Sequence, residues 1–159
     1  MVSLFEDHGV LRKEELAARV EVELENYIMK RQIEYRVLLG MCKNSVLPAA
    51  IRYQNGLLVN VEQLNSVLGK QATQFSGAQI EMVKEAGQLI QDLYKATSDM
   101  EAIHDKAESA KDALASAKAF AEKVVPSIDA AAEICAKLES LVDDAEWPLP
   151  KFSELLFTR

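Results

Sequence analysis

From residue 78 to 124, apolar and small residues recur at spacings that alternate between three and four. The series is Val83, Ala86, Ile90, Leu93, Thr97, Met100, His104, Ala107, Ala110, Leu114, Ala117, Ala121 and Val124, about six heptads long. A strand cannot use this period, because its side chains alternate faces every two residues. The stretch therefore reads as a coiled-coil seam on one long helix. Its second half is built from alanines, whose size lets a partner helix approach closely and whose helix propensity argues against a flexible linker.

The rest of the chain extends the same pattern. Leu16, Val20, Leu24, Tyr27 and Ile28 open an earlier helix, continued by Leu38, Met41 and Cys42. Glu14 and Glu15 stand in its first turn, where negative charge complements the helix dipole. Ile51, Leu58, Val61, Leu64 and Leu68 carry a stripe to Gly69, a plausible helix stop. Ile128, Ala131, Ala132, Cys135, Leu138, Leu141 and Val142 form a last one. Pro48 and Pro126 interrupt these patterns, since proline lacks the N–H and crowds the preceding turn. Pro48 predicts a kinked or closely restarted helix. Pro126 fits the first turn of a new helix, with a kink as the alternative.

The expected architecture is all-α: an elongated antiparallel bundle of three or four long helices, with an irregular proline-containing C-terminal tail. The expected organisation is a single helical domain over 1–159. It has a lead-in at 1–11, helices at about 12–44, 46–69, 78–124 and 127–143, and a docking tail at 145–159. The apolar lead-in around Leu4, Phe5 and Val10 has no element of its own, which fits a segment cut from a longer chain.

The tail carries the only tryptophan. A chain end is ordinarily polar and frayed. Here Trp147, Pro148, Leu149, Pro150, Phe152, Leu156 and Phe157 make it apolar and stiff, so it is expected to dock on something.

Charge and composition narrow the function. The net charge of −7 argues against a phosphate-binding surface, and hence against a nucleic-acid partner. The excess is local, with twelve acids against five bases between Asp99 and Glu146, so it reads as a solvated helix pair. No apolar stretch approaches the ~20 residues of a membrane span, and no signal peptide is visible. The expectation is a soluble cytoplasmic chain without a membrane partner. Cys42 and Cys135 fit no ligand spacing and read as two small buried hydrophobes in a reducing compartment, not as a disulfide or a metal site.

The polar clusters have bland readings. His104 on the seam, with Asp99 and Asp105 nearby, has only Met100 and Glu108 as poor or single metal partners. Tyr35 with Arg36, and Arg52-Tyr53-Gln54-Asn55, could hold an anionic ligand, but an inter-helix network is the expected role. Asp143, Asp144 and Glu146 lack the glycine-centred loop of a calcium site and read as a solvated helix end or a salt-bridge surface for a neighbouring chain. No nucleotide-binding glycine loop or nucleophile elbow occurs. The expectation is a chain with no catalytic, cofactor-binding or metal residue of its own.

Several segments carry a family resemblance. They are Ser3 to Val10 (Ser-Leu-Phe-Glu-Asp-His-Gly-Val), Arg19 to Tyr27 (Arg-Val-Glu-Val-Glu-Leu-Glu-Asn-Tyr) and Leu47 to Asn55 (Leu-Pro-Ala-Ala-Ile-Arg-Tyr-Gln-Asn). Later come Lys137-Leu138-Glu139, Val142-Asp143-Asp144, Trp147-Pro148-Leu149-Pro150-Lys151 and Glu154-Leu155-Leu156-Phe157. Together they resemble the C-terminal region of type III glutamine synthetases. The resemblance spans nearly the whole chain and is weakest from residue 68 to 123. It implies a parent enzyme that makes glutamine from glutamate, ammonia and ATP with a divalent metal (Mg or Mn). It places that enzyme's metal and nucleotide ligands upstream, so no catalytic residue carries over. It implies a structural or assembly role, with a catalytic core and neighbouring subunits as partners. Arg52, Tyr53 and the tail residues would then be docking elements. The competing reading is a free-standing coiled-coil adaptor that offers the seam to a partner helix.

Overall fold

The computed structural model describes His8 and residues 12–155, the side chains of Phe152 and Ser153 excepted. The lead-in, His8 apart, lies outside the described residues, as do Leu156 and Phe157. The described residues form three long packed helical rods and no strand.

The first rod comprises α1 (Lys13–Met41), a π turn (Cys42–Val46) and α2 (Leu47–Leu68). At 1.5 Å per residue it is about 80 Å long. Its start is fixed locally: the Arg12 backbone N–H donates to Glu15 Oε2 at 2.9 Å, satisfying a donor that the first turn leaves unpaired. Gly69, at φ 53°, ends the rod in the left-handed region that glycine enters without penalty. A 3-10 turn (Gly69–Gln71) and a short helix α3 (Ala72–Phe75) then reverse the chain.

The second rod is α4 (Gly77–Glu108), which runs back antiparallel to the first. Gln54 Nε2 donates to the Val83 carbonyl at 3.1 Å near one end, and Gln32 Nε2 to Glu108 Oε1 at 3.2 Å near the other. The third rod comprises α5 (Ala113–Ala119), a second π turn (Phe120–Val124) and α6 (Val125–Leu141). It lies antiparallel to the second rod and parallel to the first.

One detail corrects the expected boundaries. The helix predicted over 78–124 is two helices, because the chain turns at 109–112. Asp112 leaves the helical conformation at φ −146° and ψ 165°, and its carboxylate accepts from the Ala115 N–H at 2.7 Å. This N-cap starts α5, and Ser116 Oγ ties the hairpin by donating to the Ala107 carbonyl at 3.1 Å. Pro126 falls in the first turn of α6, as expected, although a π turn joins that helix to α5 in one rod.

Both prolines are accommodated in one way. Each follows a π turn by two residues. The Leu47 N–H reaches back to the Cys42 carbonyl, and the Val125 N–H to the Phe120 carbonyl. The wider turn makes room for the ring that would crowd the carbonyl four residues earlier in an α-helix. Neither rod has to break.

The core forms two clusters along the bundle. One gathers Cys42, Val46, Leu47, Ala50, Leu93, Leu138, Val142 and Trp147. The other gathers Tyr35, Met100, Ala107, Phe120 and Val124. The seam is buried from Ala86 through Leu93, Thr97, Met100 and His104 to Ala107. Beyond the turn the seam is kept only in part: Ala117 and Val124 are buried, while Leu114 is 60% exposed.

Candidate functional site

The C-terminal segment folds back onto the bundle. Val142 leaves the helical conformation at ψ 138°. The Asp143 carbonyl then accepts from both the Glu146 and Trp147 N–H groups at 3.0 Å, while its carboxylate accepts from Ala145 N at 2.7 Å. Asp143 thus builds the bend. Glu146 is held by Arg52, whose Nε donates to Oε2 at 3.0 Å. Lys151 pairs with Asp144. All three acids of the predicted cluster therefore serve the geometry of the tail. Lys151 has its pKa raised, first by its hydrogen bond to Asp144.

The bend aims Trp147 inward. It is 8% exposed and joins the cluster around Leu93 and Leu138. Its Nε1 is buried and finds no hydrogen-bond partner among the described residues. Pro148 and Pro150 are exposed, and Leu149 is half-buried against the same cluster. Tyr53 also packs there, and burial, followed by Asp143 and Glu85, raises its pKa. The structure thus brings Arg52, Tyr53, Trp147 and Leu149 together at one end of the bundle. Of the other predicted tail residues, Phe152 has no described side chain, and Leu156 and Phe157 lie outside the described residues.

Beneath the tail is a cavity of about 290 Å³, lined by Leu38, Met41, Cys135, Trp147, Pro150 and Leu155 among others. Its walls are apolar. A larger open groove of about 530 Å³ lies where the first rod extends beyond the end of α4, between Leu16, Val20 and Leu24 on one side and Leu114 on the other. Val20 is 51% exposed there, because the second rod stops too early to cover it.

One pairing escaped the sequence, and one candidate set is brought together. Cys42 and Cys135 are 93 residues apart, yet their sulfurs approach to 3.6 Å. His104, Asp105 and Glu108 offer ligand atoms within 4.8 Å of one another. The histidine is buried, with its ring stacked on Tyr35, and both acids are exposed. One covered imidazole and two surface carboxylates do not fit Mg²⁺ or Mn²⁺, which take several oxygen ligands in open octahedral geometry. Arg36 is exposed and stands apart from Arg52 and Tyr53, so no common anion pocket forms.

Fold and site define a class: a three-rod helical bundle closed by a tryptophan-anchored tail. Residues 1–65 match the family described as the glutamine synthetase C-terminal domain. Over 151 residues the chain is 35% identical to a glutamine synthetase of Bacteroides fragilis, covering 94% of this chain and 21% of that protein. It is 27% identical to the type-3 glutamine synthetase of Dictyostelium discoideum, covering 99% of this chain and 22% of that one. A glutamine synthetase of Butyrivibrio fibrisolvens is 25% identical over a similar span. By sequence, then, the chain matches the glutamine synthetase C-terminal domain over residues 1–65, and its homologues are glutamine synthetases that include a type-3 enzyme. The chain spans about a fifth of the length of these relatives. No described helix is long and apolar enough to cross a membrane.

Proposed function

We propose that this chain is a non-catalytic module of an enzyme that joins ammonia to glutamate at the expense of ATP, and that it acts in assembly. The observation that carries this reading is the similarity itself. It covers nearly all of this chain but only about a fifth of each relative. ATP and the divalent metal would be held by the remainder of the enzyme, with no ligand from this bundle.

The surface supports an assembly role. Met29, Ile33 and Val37 stand at four-residue spacing on the outer face of α1, each 56% exposed, with Met41 next in line. Such a ridge is more apolar than a solvated helix face needs to be. It is suited to meet the catalytic core or a neighbouring subunit. The seam between Ala86 and Ala107, by contrast, is consumed inside the bundle, which weakens the adaptor reading.

The test has two arms. This chain alone, given ATP, glutamate, ammonia and Mg²⁺ or Mn²⁺, should form no glutamine. The full-length enzyme carrying Ile33→Glu and Val37→Glu should show smaller oligomers by analytical ultracentrifugation. Glutamine formation by the isolated chain sinks the non-catalytic reading, and an unchanged assembly sinks the role of the ridge.

A further inference from the structure

The chain has two cysteines, and the fold brings them together from different rods. Cys42 opens the first π turn and is 0% exposed, while Cys135 lies on α6. Their sulfurs are 3.6 Å apart, and a disulfide bond needs about 2.05 Å. Closing that gap takes about 1.5 Å of approach, within reach of side-chain rotation and a small shift of the rods.

Access is equally specific. Cys135 is partly exposed and lines the 290 Å³ cavity under the tail, so a small oxidant meets its sulfur first. Cys42 faces the core behind it and can reach only Cys135. One thiol is attackable and the other is positioned to resolve, an arrangement that suits reversible oxidation.

We propose that Cys42 and Cys135 form a redox-modification site, closed by hydrogen peroxide into an intrachain disulfide that ties the first rod to the third. In the first step the Cys135 sulfur attacks the peroxide O–O bond. A sulfenic acid forms, and the displaced hydroxide takes the thiol proton to leave as water. In the second step the Cys42 sulfur attacks the Cys135 sulfur. The S–S bond forms, the S–O bond breaks, and the leaving hydroxide takes the Cys42 proton as a second water. Peroxide is reduced by two electrons and the two thiols are oxidised by two.

The disulfide would form in the cluster that also holds Trp147, which lines the cavity with Cys135. Disulfides quench indole fluorescence on contact, so the only tryptophan reports closure.

The experiment treats the folded, reduced chain with peroxide at a few equivalents. Peptide mapping should join the Cys42 and Cys135 peptides within a monomer. Tryptophan fluorescence should fall at least twofold and recover with dithiothreitol, and circular dichroism should hold constant. Cys135→Ser should abolish both the cross-link and the quench. Cys42→Ala should leave Cys135 trapped as a sulfenic acid that a dimedone probe captures. A disulfide-linked dimer, two free thiols after treatment, or a cross-link that forms only in denaturant would overturn the proposal.

Discussion

The Tyr35 and His104 rings stack with their centroids 4.0 Å apart and their planes within 10°. Phe120 closes the group by presenting its edge to the histidine at 5.7 Å and 89°. One ring comes from each rod, so this contact locks the centre of the bundle. Phe120 is fully buried and opens the second π turn. Phe120→Ala should lower stability by about 3–5 kcal/mol, since a large aromatic leaves a cavity that rigid rods cannot close. Urea unfolding followed by circular dichroism measures it. A loss below about 1 kcal/mol would mean that the three rings do not form one packed unit.

The same stack predicts a pH dependence. Burial is the first cause that raises the pKa of Tyr35, with Glu101 and Asp105 adding to it and Arg36 opposing. Tyr53 is shifted in the same direction. A phenol held neutral by folding keeps its full stabilising effect below its ordinary pKa of about 10. That effect fades as pH rises towards the folded-state value, because the unfolded chain ionises first. Thermal midpoints should therefore fall more steeply above pH 10 for the wild type than for Tyr35→Phe. Parallel curves for the two proteins would count against a buried neutral phenol.

How far the sequence foretold this molecule depends on the kind of signal. Period and composition made the rods legible, because a three-to-four spacing has only one common structural use. The turn at 109–112 was not legible. Alanine favours helix on both sides of it, and the one cue is the small polar pair Ser109 and Asp112. Pro48 and Pro126 marked the restarts of α2 and α6, but not the π turns that precede them. A widened turn absorbs a proline at no visible cost in sequence, so a break and a bulge read alike. The juxtaposition of Cys42 with Cys135 needed the register between the first and third rods, which no local pattern encodes. The inward course of the tail was legible only as a tendency. Its apolar residues called for burial, and the Asp143 bend that directs Trp147 came from the structure.

Helical glycines give a graded test of how closely the rods approach. A Cβ at Gly40 or Gly56 would meet nothing within 4 Å, so alanine there should stabilise the chain by about 0.5–1 kcal/mol through backbone entropy alone. Gly87 faces the first rod, and a Cβ there would come within 2.9 Å of Gln54 Nε2. Alanine would displace the amide from the Val83 carbonyl and forfeit a hydrogen bond worth about 1 kcal/mol. Gly87→Ala should thus be neutral or destabilising, while Gly69→Ala, at φ 53°, should cost about 1 kcal/mol. Equal gains at positions 40, 56 and 87 would argue that the first two rods pack more loosely than the Gln54 contact implies.

Trp147 offers the most direct measure of the tail. Its side chain is buried in the cluster that holds Leu138 and Val142, but its Nε1 meets no hydrogen-bond partner among the described residues, which costs about 1–3 kcal/mol. Two substitutions separate the opposing contributions. Trp147→Ala loses the whole apolar contact and should destabilise by about 3–5 kcal/mol. Trp147→Phe keeps most of that contact and removes the unpaired donor, so it should fall within about 1 kcal/mol of the wild type. Arg52→Ala breaks only the exposed pair with Glu146 and should cost less than about 1 kcal/mol. Chemical denaturation of the three variants ranks them, with the alanine at Trp147 far below the other two. If Trp147→Ala changes stability by less than about 0.5 kcal/mol, the tail does not hold to the bundle in solution, and its apolar face is left for a partner.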